Sequence, residues 1–361
     1  MARYAIVTSH LTSGDAVSND VVTMQRVLEN HGREARLYAG SADFEEPKVW
    51  PLAEIEEFLR HPDDVLIYHH SFGWDLGISM LRKLKCKTII KYHNVTPPEF
   101  FAGVSAWHEE KCTEGLRQLE FIATAGYEAY FSDSAYNMQQ LLALGADPAR
   151  NFVVPPFHHI DRLDAMYGDQ ETLETYRDGK TNILSVSRVA PHKNQESLIE
   201  AFAVYYHYYN LNSRLLLIGR EEEAFETYST RLRELISFLV LEDKVVFAGE
   251  VSDAALKAYY LLSNVFLIAS KHEGFSVPLV EAMAMKVPIV SYGAAAVPET
   301  VGGAGVVLDE LNPEKMAQAL DVVVGDEATN VALGQRGWRR YEENFTNNKI
   351  ESQFLRALNC R

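Results

Sequence analysis

The sequence is poor in cysteine. Only Cys86, Cys112 and Cys360 occur among 361 residues, and no two of them form a Cys-x-x-Cys pair. This count excludes a disulfide framework and a cysteine-based metal site, and it favours a reducing compartment. Long hydrophobic runs are missing too, because no segment approaches the roughly 20 apolar residues of a membrane span. The apolar run at the N-terminus is too short for the core of a signal peptide. We therefore expect a cytoplasmic protein.

Positive charge is also scarce. Lys and Arg number 34 against 50 Asp and Glu, which gives a formal net charge of −16. Nucleic-acid binding needs a basic surface, so we expect no nucleic-acid partner. One basic island stands out, formed by Arg82, Lys83, Lys85, Lys87 and Lys91. Two interpretations stay open: peripheral contact with anionic lipids at the inner face of the membrane, or a solvated helix end beside a strand edge.

Two cofactor motifs are absent. No Gly-x-Gly-x-x-Gly follows a predicted strand, which excludes a nicotinamide-dependent dehydrogenase in practice. No Asp-x-Asp occurs, the carboxylate pair with which many nucleotide-sugar enzymes hold a divalent metal. We therefore expect no metal ion and no cofactor.

Short apolar runs alternate with amphipathic stretches along the whole chain. This alternation predicts an α/β fold of parallel strands and crossover helices. The runs consist mainly of Val, Ile, Leu and Phe, as in strands covered on both faces. The predicted strands lie at residues 4–8, 65–68, 88–92, 121–124, 152–154, 182–186, 214–218, 244–248, 264–269, 288–291 and 305–308.

The predicted strands form two groups that are separated by a polar, acidic segment at 158–180. We interpret that segment as helix and linker between two doubly wound, Rossmann-like domains. The predicted domains are 1–165 and 166–340. Residues 341–361 are predicted to form a C-terminal helix that packs back on the N-terminal domain.

Segment 264–299 carries the most chemical information. The strand NVFLIAS leads into the loop KHEGFS and then into a helix that opens near Pro278, with Ser276 or Val277 at its cap. Open α/β sheets bind ligands at such strand-to-helix loops. The amides of Ser276, Val277 and Leu279, together with the helix dipole, favour a phosphate there.

Two carboxylates, Glu273 and Glu281, flank this loop in a Glu-x7-Glu spacing. A bound phosphate repels a carboxylate, so the natural partners of both are hydroxyls, those of a sugar at one end and of a ribose at the other. The alternative is an acidic first helical turn plus a solvated loop glutamate.

A second cluster lies in NILSVSRVAPHKNQESLIEAF, where Arg188 and Lys193 follow a strand and precede a helix. Two cations at such a junction can clamp a diphosphate. In isolation they can equally be solvated surface cations. The helix-mouth anion site in the same domain favours the clamp.

Residues 182–308 resemble the donor-binding half of the retaining family 4 glycosyltransferases, which have the GT-B fold. The matching pieces are SVSRVAPHKN, LLLIG, VVFAGEVSD, KHEGFSVPLVEAMAMKVPIV, and VPE followed by VGGAGVVLD. The N-terminal half is similar more loosely, through SGDAVSND, YHN and SDSAYN. The resemblance implies two domains facing a central cleft, with the acceptor bound by the first and the donor by the second.

The resemblance also implies residue roles. Arg188 and Lys193 would bind the donor diphosphate, Glu273 the hexose hydroxyls at C3 or C4, and Glu281 the ribose. The loop Gly274, Phe275, Ser276, Val277 and Leu279 would hold sugar and phosphate through its backbone, and Val251 the base. In the N-terminal half, Gly14 would approach the phosphates. His93 would face the donor sugar as a positioning residue, or else be a buried histidine bonded to backbone.

This chain departs from the family at a few positions. The family usually has Gly where Ser187, Ser276 and Lys286 stand here, and its N-terminal loop often has two adjacent glycines where only Gly14 is present. Ser276 is still expected to cap the helix.

The sequence therefore predicts a retaining, metal-independent glycosyltransferase of polysaccharide or glycolipid assembly. Its donor would be a nucleotide sugar, UDP-glucose first, and its acceptor a saccharide or lipid-linked saccharide. His69, His70, Trp74 and the aromatic pair of TPPEFF are candidates for the acceptor side. The alternatives are a nucleotide-sugar epimerase of the same fold and a non-catalytic sugar-nucleotide-binding protein.

Overall fold

The computed structural model describes residues 2–44 and 46–359. Its internal contacts divide the chain into two compact units. Unit 1 comprises the described residues up to Pro98, then Trp107–His159, then those from Asn347 onward. Unit 2 comprises Glu99–Ala106 and Ile160–Thr346. The short segment 99–106 therefore belongs by its contacts to the later half of the chain.

Strands and helices alternate through most of the described chain. The strands are β1 (Arg3–Leu11), β2 (Glu34–Ala42), β3 (Val49–Trp50), β4 (Val65–His70), β5 (Lys87–Tyr92), β6 (Ala129–Ser132), β7 (Asn151–Val153), β8 (Thr181–Val186), β9 (Ser213–Ile218), β10 (Val245–Gly249), β11 (Val265–Ile268), β12 (Ile289–Tyr292) and β13 (Val306–Leu308). The helices are α1 (Ala16–Asn30), α2 (Ile55–Phe58), α3 (Asp75–Lys83), α4 (Ala106–Thr124), α5 (Ala135–Ala143), α6 (Ile160–Ala165), α7 (Gln170–Tyr176), α8 (Gln195–Tyr208), α9 (Glu226–Phe238), α10 (Asp253–Leu262), α11 (Val277–Ala284), α12 (Val297–Val301), α13 (Pro313–Gly325), α14 (Glu327–Asn344) and α15 (Asn347–Asn359).

Each unit contains one parallel sheet. The sheet of unit 1 has seven strands in the order β3-β2-β1-β4-β5-β6-β7, and that of unit 2 has six in the order β10-β9-β8-β11-β12-β13. In both, the chain winds outward in one direction and then returns to the middle, so a topological switch point lies between β1 and β4 and between β8 and β11. This arrangement confirms the predicted α/β class with two doubly wound, Rossmann-like domains.

Most predicted strands are present, but one is wrong. Residues 121–124 form the last turn of α4, whose buried Leu119, Ile122 and Ala123 recur at helical spacing. A short apolar run cannot distinguish a buried strand from such a helix face. The strand of this region is β6, which begins five residues later.

The last helix, α15, completes the core of unit 1. Its Ile350 and Phe354 are fully buried, and the Phe354 ring meets those of Phe131 and Phe157 edge-on. The sequence predicts one helix over 341–361; instead, residues 341–344 end α14, and α15 follows after a break at residues 345–346. Residues 360–361 of that prediction lie outside the described residues. No helix in the described ranges is long and apolar enough to cross a bilayer.

Candidate functional site

The switch point of unit 2 brings Lys193 and Glu273 together. Parallel pairing of β8 with β11 places the segments after both strands at the same edge of the sheet. Lys193 ends a 3-10 turn after β8, and Glu273 lies in the loop after β11. The Nζ atom of Lys193 donates to both carboxylate oxygens of Glu273, at 2.8 and 2.9 Å. Their side chains are 18% and 6% exposed, so this ion pair is shielded yet reachable on the lysine side.

Backbone hydrogen bonds fix the loop that carries Glu273. The amide of Lys271 donates to the His192 carbonyl at 2.8 Å, which ties this loop to the one after β8. The amide of Ala296 donates to the carbonyl of Glu273 at 3.2 Å. The Thr300 hydroxyl donates to the Phe275 carbonyl at 2.7 Å. The carboxylate is therefore presented from a rigid loop.

Helix α11 begins directly after this loop, as predicted. Its cap residue, Ser276, has φ of 74°, a left-handed conformation that favours glycine. The Ser276 side chain makes no capping hydrogen bond, so the predicted side-chain cap is wrong. A serine caps through its hydroxyl only from an extended backbone, which this residue lacks. The amide of Leu279 donates to the Ser276 carbonyl at 3.2 Å, and Pro278 has no N–H. Of the three predicted donor amides, those of Ser276 and Val277 therefore remain for a phosphate.

Glu281 lies within α11 and is buried. It accepts a hydrogen bond from the Tyr260 hydroxyl at 2.7 Å. Burial raises the pKa of Tyr260 well above its usual range, so the phenol stays protonated as the donor. The carboxylate is thereby held in one orientation.

Arg188 pairs with a different carboxylate from the one that Lys193 contacts. Its Nη1 atom donates to Glu222 at 2.8 Å, and its side chain is 49% exposed. The predicted clamp thus contains one shielded cation and one solvent-exposed cation with a different carboxylate partner.

The remaining predicted donor residues occupy varied positions in unit 2. Gly274 and Val251 are half-buried, and Val251 follows the carboxyl end of β10. Phe275 is buried and meets the Phe345 ring edge-on, and the side chain of Leu279 lies in the core. Phe275 and Leu279 can contribute only backbone groups to a ligand.

Sequence reasoning missed the two histidines beside the ion pair, and it assigned the aromatic pair Phe100 and Phe101 to the acceptor side, whereas both contact these histidines in unit 2. Phe100 lies 6.4 and 6.5 Å, between ring centroids, from His272 and His192. Phe101 is buried between His192 and Phe225, which explains why segment 99–106 belongs to unit 2. Burial lowers the pKa of His272 to about 4, so this imidazole is neutral at pH 7. Adjacency of His192 to Lys193 and of His272 to Glu273 was the available signal.

Unit 1 contains a buried ionisable cluster around its own switch point. The members are Asp20, His69, Lys91, His93 and Asp133, contributed by α1, β4, β5 and the segments that follow β5 and β6. The Nδ1 atom of His93 pairs with Asp133 at 2.9 Å, and its Nε2 atom lies 2.8 Å from Nδ1 of His69. Lys91 pairs with Asp133 at 2.5 Å and donates to the Val154 carbonyl. Both ring nitrogens of His93 are thus engaged within unit 1.

The charges in this cluster depend on burial and on each other. Burial raises the pKa of Asp20, against the lowering effect of Lys91 and His93. Burial acts in the same direction on Asp133, but the charges of His93 and Lys91 outweigh it and lower the pKa of that carboxyl. Burial also lowers the pKa of His69 well below its usual range, so this imidazole is neutral.

The same cluster has three groups at metal-ligand spacing. One ligand atom each of Asp20, His69 and His93 lies within 4.8 Å of the others. The ammonium of Lys91, however, lies 3.8 Å from the Oδ2 atom of Asp20. That fixed cation compensates the carboxylate in place of a metal and would repel one.

The other predicted residues of unit 1 differ in their exposure to solvent. Gly14 is exposed, has φ of 80° and precedes the cap of α1. His70 is fully buried, with Nε2 3.0 Å from the Gly115 carbonyl, and Trp74 stacks on Tyr68. Lys91 is fully buried, so it cannot belong to a basic surface that faces lipid.

Comparisons with known proteins agree with this architecture. Residues 173–340 match the family model described as Glycosyl transferases group 1. The chain is 27% identical over 212 residues to D-inositol 3-phosphate glycosyltransferase of Kineococcus radiotolerans, an alignment that covers 54% of this chain and 48% of that protein. The chain therefore spans about half the length of this relative. It is 22% identical to the amylovoran biosynthesis glycosyltransferase AmsD of Erwinia amylovora, over 94% of this chain and 95% of that one.

A solved structure shows the same fold. Alr3699/HepE of Anabaena, crystallised in complex with UDP-glucose, superimposes with a TM-score of 0.77 at 15% identity, covering 99% of both chains.

Proposed function

We propose a specific reaction for this chain, whose residues 173–340 match the group 1 glycosyltransferases and whose fold is that of the GT-B glycosyltransferases. The reaction is the retaining transfer of a hexose from a nucleotide sugar to a saccharide or lipid-linked saccharide. The observation that carries this proposal is the shielded Lys193–Glu273 pair beside the N-terminus of α11. Two adjoining loops carry a cation, the amides of Ser276 and Val277, and a carboxylate, and these groups suit a diphosphate at one side and sugar hydroxyls at the other.

The reaction breaks the bond between the anomeric carbon and the diphosphate oxygen, and its electron pair leaves with the diphosphate. Lys193 and the α11 amides stabilise this developing charge more strongly than the charge of the intact donor, which lowers the barrier. The acceptor oxygen bonds to the anomeric carbon on the same face, and its proton passes to the departing phosphate oxygen. Glu273 orients the hexose and needs no nucleophilic role.

Glu281 is assigned to the ribose. Tyr260 occupies part of its hydrogen-bonding capacity and fixes the carboxylate, so a ribose diol meets a preset acceptor. His93 takes part as a positioning residue, because Asp133 and His69 already engage its two ring nitrogens. The donor base and sugar are proposals, and UDP-glucose is the first to test because the Anabaena neighbour was crystallised with it.

A thermal-shift panel of UDP, GDP, ADP and their sugars tests donor binding. A ligand that binds only the native state raises the melting temperature by mass action. We expect one nucleotide and its hexose conjugate to stabilise the protein, and Lys193→Ala to reduce that shift. Absence of any shift across the panel contradicts the proposal.

Activity then separates the alternatives. Transfer, or slow hydrolysis of the nucleotide sugar, in the presence of EDTA supports a metal-independent transferase. Conversion of the nucleotide sugar to its epimer without acceptor would identify an epimerase. Binding without either reaction would identify a non-catalytic sugar-nucleotide-binding protein.

A further inference from the structure

A pocket of about 350 Å³ lies in unit 2 at the turn that leads into β13. Lys193 and Glu273 follow the carboxyl ends of their strands, whereas this turn precedes the amino end of its strand. The pocket therefore lies at the opposite edge of the parallel sheet from the candidate donor site. It is lined by Gly302, Gly303, Ala304, Arg336, Arg339, Arg340 and Glu343.

Arg340 is held in place before any ligand arrives. Its Nε and Nη2 atoms donate to the carbonyls of Thr300 and Glu299, at 2.8 and 2.6 Å. The guanidinium carbon also lies 5.3 Å from the centre of the Phe345 ring. Two of the five N–H groups are thereby used to fix the guanidinium, and the others remain for a ligand.

The turn against Arg340 requires glycine. Gly302 and Gly303 both have positive φ, 49° and 80°. A Cβ atom on Gly302 would lie 2.1 Å from the guanidinium carbon of Arg340. The absent side chain lets the guanidinium lie directly on the backbone. The amides of Gly302 and Ala304 already donate to backbone carbonyls, so binding of an anion here would rest on the arginine side chains.

The pocket concentrates positive charge on a chain whose formal net charge is −16. Three arginines line it, and Glu343 is the one carboxylate among its lining residues. Within the described ranges, Arg336 and Arg339 form no ion pair, and both are exposed. Guanidinium groups gathered in one pocket repel each other unless an anion joins them.

We propose that this pocket binds a phosphate group. The guanidinium fork matches two phosphate oxygens, and a fixed Arg340 with two exposed arginines beside it can surround a tetrahedral anion. The phosphate can belong to a soluble phosphate compound or to the headgroup of an anionic phospholipid. The pocket shares no lining residue with the candidate donor site, so phosphate binding here can be tested whether or not the proposed reaction is correct.

The test uses the full chain and two double variants with equal charge change. Arg336→Gln with Arg339→Gln removes the exposed arginines of the pocket. Arg231→Gln with Arg233→Gln is the matched control on α9, also exposed and also in unit 2. In the lipid arm, each protein is sedimented with phosphatidylcholine vesicles that contain or lack phosphatidylglycerol. If a headgroup is the source, the pocket variant loses affinity for anionic vesicles by about 30-fold, from the two charges removed, and the control loses less.

In the soluble arm, thermal unfolding is compared in inorganic phosphate and in chloride of equal ionic strength. A soluble source predicts a phosphate-specific rise in melting temperature that the control retains and that the pocket variant reduces, because both keep the donor site. A difference between the double variants in either arm supports the pocket and identifies the source. Equal behaviour of the two double variants in both arms overturns the proposal.

Discussion

Removing charge from the two partners of the Lys193–Glu273 pair should change nucleotide affinity in opposite directions. In the free protein Glu273 accepts two hydrogen bonds from Lys193 and neutralises it. Glu273→Gln retains the shape and an oxygen acceptor but removes the negative charge beside the proposed diphosphate. Lys193→Ala removes the cation and leaves Glu273 in its shielded position without that partner.

The magnitude follows from Coulomb's law. A unit charge about 6 Å from a phosphate charge contributes roughly 1–3 kcal/mol, for an effective dielectric constant between about 80 and 20. Glu273→Gln should therefore tighten binding of the bare nucleoside diphosphate by roughly 5- to 100-fold, and Lys193→Ala should weaken it by a similar factor. Glu273→Gln should nevertheless slow transfer, because the amide is a poorer acceptor for the hexose hydroxyls.

Titration calorimetry with the bare nucleoside diphosphate measures both affinities, and an initial-rate assay measures transfer. Glu310→Gln is the control, since Glu310 forms an exposed pair with Lys315 in the same unit. A purely structural pair would lose affinity in both variants, because each would loosen the loop. Weaker nucleotide binding by a folded Glu273→Gln protein would therefore refute the diphosphate site.

Three further changes test the physical reasoning. Burial holds the pKa of His272 at about 4 against about 6.5 in an unfolded chain, so at this residue only the unfolded state gains a proton as pH falls below 6.5. In urea titrations, His272→Gln should reduce the stability lost between pH 7 and 5 by about 2 kcal/mol, and the loss that remains comes from other buried histidines such as His69 and His70. Val240→Gly should raise the free energy of unfolding by about 0.5–1 kcal/mol, because this exposed valine has φ of 57° after α9, and Val240→Ala should gain less. Lys91→Met should lower the free energy of unfolding, measured by urea denaturation, by about 3–5 kcal/mol, because the buried carboxylates of Asp20 and Asp133 lose their cationic partner. A smaller loss in the double variant with Asp133→Asn would show that the two residues are coupled.

The donor half is accessible from sequence because its chemistry lies in short contiguous segments. Strand, loop and helix follow each other within 264–299, and the doubly wound order then brings the segment after β8 to the same edge. Direct pairing of Lys193 with Glu273 does not follow from the sequence, since the motifs assign each to a different part of the donor. The conformation of Ser276 does not follow from the sequence either. Serine commonly caps helices through its hydroxyl, and only the observed φ shows that this residue has a left-handed backbone conformation.

The buried cluster of unit 1 cannot be predicted as a unit. Its five residues are spread from position 20 to position 133. Asp20, His93 and Asp133 fall in the three pieces that resemble the family, but each lies in a different piece, and His69 and Lys91 lie in none. The resemblance singles out His93, but nothing local indicates that Asp133 and His69 occupy its ring nitrogens. The basic island wrongly includes Lys91 for the same reason, because charge read along a sequence does not report burial.

The path of the chain between the units has consequences for synthesis and dissection. Unit 1 includes both β1 and α15, so its core stays incomplete until the ribosome has added residues 347–359. Segment 99–106, with buried Phe101, belongs to unit 2 although the chain then returns to unit 1 for residues 107–159. No single cut can release either unit intact, and either unit produced alone would need a redesigned connection. We expect the nascent N-terminal half to depend on chaperones, and a truncation before residue 347 to expose the apolar face that α15 covers.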